Sequence, residues 1–147
     1  MTEVEKLASY RTRIVSAFAI AFAVWQGGDI VSQMAAADSP LFFYAALTKI
    51  IGAVGFAASA GFFFLFYKRV KKAGAAIALK DEWNRFTSGL ALQYGFFFLI
   101  GAIALMYGAS TFWTLPAMPV LQGLLTIGVT GTLMAFVVLQ NEGGVEN

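Results

Sequence analysis

Along this chain, long apolar runs alternate with short polar stretches, and nowhere do apolar and polar residues alternate with a period of two. Crossing a hydrocarbon core of about 30 Å takes roughly 20 helical residues. Four segments reach that length, at about 14–36, 41–67, 86–107 and 118–139. The second is long enough that it must tilt or protrude. "ADSP", "KRVKKAGAAIALKDEWNR" and "GASTFWTLPAMP" separate them, and Pro40 and Pro119 fall near helix starts, where a missing N–H costs nothing. Strands of a membrane barrel would show period-two alternation. The pattern therefore predicts an all-α, integral membrane four-helix bundle, with residues 1–147 forming a single four-span domain.

Charge orients these spans. Lys6, Arg11 and Arg13 precede the first, and Lys68, Arg69, Lys71, Lys72, Lys80 and Arg85 lie between the second and third. Of the ten basic residues only Lys49 falls elsewhere. By the positive-inside rule both termini and the middle connection are expected in the cytoplasm. Tyr10, Tyr67 and Trp83 then lie at the inner interface, and Tyr44, Tyr107 and Trp113 at the outer one, where amphipathic rings favour the headgroup level. The opening "MTEVEKLASYRTR" leads into the first span with no small-residue cleavage site after it, so that span is expected to stay in the mature protein. A compact chain without a targeting sequence points to a bacterial inner membrane.

Composition sharpens the picture mainly by exclusion. Hydrophobic residues make up 59% of the 147 and charged ones 12%, about half the share usual in a soluble domain. Mean hydropathy is +0.74. Cysteine and histidine are both absent, which removes disulfides, thiol nucleophiles, the commonest general base and the commonest metal and haem ligands. No glycine-rich phosphate loop occurs, since "GGD" is not followed by GK[ST]. A metal would find Asp29 and amides alone, a poor ligand set. No cofactor is expected, nor nucleic-acid binding, because topology already accounts for the basic residues.

Two charges interrupt the apolar runs. Asp29 follows "IVSAFAIAFAVW", roughly 22 Å from the inner boundary at 1.5 Å per residue, and Lys49 lies within "FFYAALTKIIGAVGF". They are equally far from a turn centred near Ser39, so an antiparallel hairpin places them at one depth. Intramembrane ionisable residues pair or line a wet cavity, and an Asp29–Lys49 ion pair would set the register of the hairpin. Two other structural readings are a Lys49 that snorkels to the headgroups and a short first span ending at Asp29. A functional reading also stands. Gln26, Ser32 and Gln33 share the Asp29 face, and Gln122, Thr126 and Thr130 repeat on the fourth span. Together they would line a polar pocket open to the outside. Phe18, Phe22 and Trp25 continue the Asp29 stripe inward, and Gly27 and Gly28 favour a bend or a close backbone contact.

Small residues mark two faces of the second span, Gly52, Gly55, Ser59 and Ala53, Ala57, Gly61, and the fourth carries Gly128, Gly131 and Thr132. Such spacing favours close helix packing, within one chain or between chains. Phe62, Phe63, Phe64 and Phe66, with Phe96, Phe97 and Phe98, are expected to face mostly lipid or a partner. Lys68, Arg69, Lys71, Lys72 and Trp83 are candidates for contact with anionic lipid headgroups or a partner, and Asp81 and Arg85 stand at i,i+4. "QNEGGVEN" reads as a frayed tail. The four-span plan with an acidic residue in the first span is similar to that of small multidrug-type exporters. Asp instead of Glu and the strong charge bias depart from that pattern, and no residue role is carried over.

These readings lead to a small non-enzymatic membrane protein, an accessory or scaffolding subunit of a larger membrane complex, with other membrane proteins or itself as partner. The alternative is a small oligomeric transporter or ligand-binding bundle using Asp29 and Lys49 in an outward-facing polar pocket.

Overall fold

A computed structural model describes residues 3–72, 74 and 82–142, with the side chains of 3–5, 82–84 and 142 left out of the description. The side chain of the candidate contact residue Trp83, the Asp81–Arg85 spacing and the last residues of the tail therefore lie outside the described residues. Among the described residues there are four α-helices and no strand: α1 Glu3–Met34, α2 Pro40–Lys72, α3 Glu82–Ser110 and α4 Ala117–Glu142. Each contains a stretch long and apolar enough to cross a membrane.

All four helices start before the apolar segments that predict them, and α2, α3 and α4 also end after them, whereas α1 stops at Met34, two residues short of the expected 36. α1 begins at Glu3, well before Ile14, and α2 extends far enough to offer the residues from Leu7 onward a surface. Leu7 and Ile14 pack there on Phe66 and Val70, with Tyr10 alongside. At its other end α2 starts abruptly. Pro40 supplies the fixed φ of a first helical residue, and the Phe42 N–H donates to Ser39 Oγ at 3.2 Å, an N-cap bond. Beyond α2, Gly74 takes φ of 62°, a left-handed conformation open to glycine at little cost.

Among the described residues the helices pack in the order α2–α1–α4–α3: α1 lies against α2 and α4, and α3 against α4 alone. Sequential neighbours α2 and α3 do not pack on each other among the described residues. The bundle is thus open, and few side chains are enclosed. Thr87 is the largest residue that is almost wholly buried. In water so much exposed Phe, Leu and Ile would be untenable; in hydrocarbon it carries no penalty.

Glycines set the closest approaches. A Cβ at Gly28 would lie 2.5 Å from the Lys49 amide nitrogen and 2.9 Å from the Ala45 carbonyl oxygen, and one at Gly52 would collide with the Trp25 backbone. Below that crossing, Gly55 faces Ala21, and Phe56 fits between Phe18, Phe22 and Trp25 with ring centroids 4.3, 5.7 and 5.4 Å away. Each step down α1 is matched by an equal step up α2, a single antiparallel register from Lys49 to Val70. The second seam repeats the device, with Gly95 of α3 against Thr132 of α4 and Phe98 against Gly131. The Gly52, Gly55, Ser59 face therefore packs within the chain, while Gly61 on the other face of α2 has open space around it. Phe62, Phe63 and Phe64 point outward as expected, and Phe66 turns inward to Tyr10, ring centroids 6.1 Å apart.

Candidate functional site

The two charges interrupting the apolar runs meet. Gly28 brings the backbones of α1 and α2 so close that Lys49, directly opposite, reaches the neighbouring Asp29: its Nζ lies 2.5 Å from Asp29 Oδ1. The other carboxylate oxygen is also occupied. Gln122 of α4 donates from Nε2 to Asp29 Oδ2 at 2.6 Å, and Gln33, one turn along α1, donates to the same atom at 3.2 Å. Gln33 Nε2 also donates to Gln122 Oε1 at 2.6 Å. One carboxylate thus ties three helices together, with an ammonium on one oxygen and two amides on the other. The Asp29 side chain is 18% exposed and that of Lys49 44%. The charge that is harder to place in hydrocarbon is the one better surrounded, consistent with the high cost of leaving such a group unpaired.

Of the residues expected around this pair, Gln33 and Gln122 join it and Gln26, Ser32 and Thr126 do not. Ser32 Oγ donates back to the Asp29 carbonyl at 2.8 Å and Thr126 Oγ1 to the Gln122 carbonyl at 2.7 Å, so both hydroxyl protons are used within their own helices and neither is donated to the carboxylate. Gln26 is buried and has no hydrogen bond to the cluster. Shared helical face was the right signal for Gln33 and too generous for the others, since it ignores how readily a hydroxyl bonds its own backbone.

Thr126 and Thr130 instead line an apolar groove of about 600 Å³ over α4, walled by Ala23 of α1 and by Tyr94 and Phe98 of α3. Thr130 Oγ1 is buried without a partner among the described residues. This groove does not include Asp29, Lys49 or Gln33. The polar cluster and this groove are separate features.

A second polar tie, which the sequence pattern did not reveal, joins α1 to α4 at the opposite end. Arg11 Nη2 donates to Gln140 Oε1 at 3.2 Å, and the Arg11 guanidinium lies 5.4 Å from the centre of the Phe136 ring. Arg11 reads from the sequence as one more topology charge, and only the adjacency of α1 and α4 gives it this role. Lys68, Arg69, Lys71 and Lys72 stand exposed at the same end, Lys68 over Phe64 and Arg69 over Tyr10. Among the described residues no group of three His, Cys, Asp or Glu side chains comes together that would hold a metal.

Comparison with known protein families, with characterised proteins and with solved structures yields no match to this chain. The arrangement of its own residues has to carry any reading of its role.

Proposed function

We propose that this chain is a non-enzymatic integral membrane protein, an accessory or scaffolding subunit of a larger membrane assembly. It spans a bacterial inner membrane four times, with both termini and the connection between α2 and α3 in the cytoplasm. The observation that carries this reading is the state of Asp29. Both of its oxygens are engaged, by Lys49, Gln122 and Gln33, so the one acidic group within the spans acts as a clamp between helices. A transport site needs a carboxylate that exchanges partners with its cargo, and this one is already committed.

The open order of helices supports the same reading. It leaves the outer faces of α2 and α3 uncovered, with Phe62, Phe63 and Phe64 on one and Phe96, Phe97 and Ile100 on the other. A larger membrane protein would seat against these two flanks through van der Waals packing.

Purification of tagged protein in a gentle detergent, followed by native mass measurement and identification of what co-elutes, tests the proposal. A stoichiometric complex with another membrane protein is the expected result. A clean homodimer or homotetramer without any partner, together with proton-coupled flux that Asp29→Asn abolishes while the helices stay folded, would overturn it in favour of a transporter.

A further inference from the structure

At the basic end of the α1–α2 hairpin lies a small groove of about 210 Å³ that the clamp does not use. Tyr10, Arg13, Ile14 and Ala17 line it from α1, and Ser59 and Phe62 from α2. The four α1 residues are spaced i, i+3, i+4 and i+7, one face of the helix. The groove has two chemically distinct parts. Ile14, Ala17 and Phe62 make an apolar channel, and the Ser59 hydroxyl is turned away by its bond to the Gly55 carbonyl at 2.8 Å. Tyr10 links two guanidinium groups to the groove: Arg13, three residues along α1, lines the groove with it, and the Arg69 guanidinium of α2 lies 5.6 Å from the centre of the Tyr10 ring. Both arginines are exposed, and among the described residues no carboxylate pairs with either.

We infer that this groove is a binding site for one anionic phospholipid, its phosphate held by Arg13 and Arg69 and the first part of an acyl chain lying along Ile14, Ala17 and Phe62. Charge complementarity selects the occupant. Planar guanidinium groups recognise a phosphate through paired N–H donors, and a mostly apolar channel lined at one end by Arg13 and Tyr10 suits a ligand with hydrocarbon attached to that phosphate. A free anion would leave the channel empty. A docking helix would need an apolar face far wider than a groove of this size. Lys68, Lys71 and Lys72 raise the local concentration of anionic lipid by general attraction, whereas Arg13 and Arg69 hold one molecule at one place.

This inference rests on the chain spanning a bilayer, and the experiment separates the two. The full chain is reconstituted into nanodiscs of phosphatidylcholine containing phosphatidylglycerol, then released into the gas phase to count retained lipids by native mass spectrometry. Retention of one phosphatidylglycerol is expected, with preference over phosphatidylcholine falling about fivefold for each of Arg13→Gln and Arg69→Gln. Lys71→Gln with Lys72→Gln should leave that preference intact, and Ala17→Phe, which fills the channel without changing charge, should abolish retention. Circular dichroism of each variant establishes that the helices are kept. If Lys71→Gln with Lys72→Gln lowers the preference as much as the arginine variants do, or if Ala17→Phe changes nothing, the attraction is diffuse and the site does not exist. Displacement of the lipid by an acidic peptide added at the basic face would overturn it in favour of a protein partner. A chain that stays outside the discs would overturn the membrane reading and this one with it.

Discussion

Gly28 of α1 and Lys49 of α2 meet backbone to backbone, with space between them too small for a methyl group: a Cβ at Gly28 would stand 2.5 Å from the Lys49 amide nitrogen. The same approach delivers the Lys49 ammonium to Asp29, one residue beyond Gly28. Glycine and ion pair are therefore one device. The missing side chain permits the crossing, and the crossing pairs the two charges.

Substitutions at these glycines should separate contact from propensity. Gly28→Ala and Gly52→Ala each force the α1 and α2 backbones apart and should cost about 1–3 kcal/mol, the usual range for overpacking. Gly27 and Gly61 have nothing within 4 Å of a built Cβ. Alanine there should be neutral or stabilising by up to about 1 kcal/mol, since glycine is the poorer helix former. Unfolding by a denaturing detergent, followed by tryptophan fluorescence, reads the difference, and equal effects at all four positions would refute the crossing geometry.

Asp29 and Lys49 should not respond alike. Asp29→Ala removes the acceptor of three bonds and leaves Lys49 uncompensated, so it should cost about 1–3 kcal/mol. Lys49→Ala leaves Asp29 with its two amide donors, and Lys49 is the more exposed partner, so its cost should be smaller. In the double-mutant cycle a coupling of about 0.5 kcal/mol or more is expected for groups in contact. Loss of assembly in Asp29→Asn that Lys49→Gln restores would mark the pair as structural.

The register of the hairpin can be captured covalently. A Cβ at Gly55 would lie 3.3 Å from the Ala21 Cβ, close to the separation that a disulfide bridges. Because the chain has no cysteine of its own, Ala21→Cys with Gly55→Cys gives a clean test. Oxidation should remove both thiols from labelling, while Ala21→Cys with Gly61→Cys, more than one turn away, should stay reduced. Trapping the second pair in preference to the first would show that the register is shifted.

At the other seam, Gly95→Ala should weaken the α3–α4 contact by about 1–3 kcal/mol because the new methyl overlaps the Thr132 hydroxyl. Thr132 is stiff about χ1 and its hydroxyl bonds the Gly128 carbonyl at 2.7 Å, so it does not simply swing aside. Removing that hydroxyl with Thr132→Ala should recover part of the loss, but not all, since Cβ of residue 132 is itself 2.8 Å from the built position. Detergent unfolding of the single and double variants checks the sign, and no recovery at all would place Gly95 elsewhere.

Much of the candidate site is legible in the sequence. Asp29 and Lys49 each stand out because an ionisable group in an apolar run has few tolerable environments, and equal distance from Ser39 puts them at one level without further information. Gln33 follows from helical spacing. Gln122 is harder, because linking it to Asp29 requires that α4 lies beside α1. Arg11 is harder still: a basic residue before a span has a sufficient explanation in topology, and nothing local points to Gln140 or Phe136. Ser32 and Thr126 mislead for a definite reason, as their hydroxyls are satisfied within the helix that carries them.

Pattern along the chain is enough for the four helices, their apolar character and the level at which the two intramembrane charges pair, because helix length, hydropathy and distance from a turn are properties of contiguous residues. Tertiary structure decided the order α2–α1–α4–α3, the choice of Gly28, Gly52 and Gly95 as contact points among many small residues, and the partners of Arg11 and Gln122. In helices that are apolar on every face, hydrophobicity no longer distinguishes inside from outside. Which faces meet then depends on shape and on a few polar groups finding one another across helices far apart in sequence, and one-dimensional pattern does not carry that information.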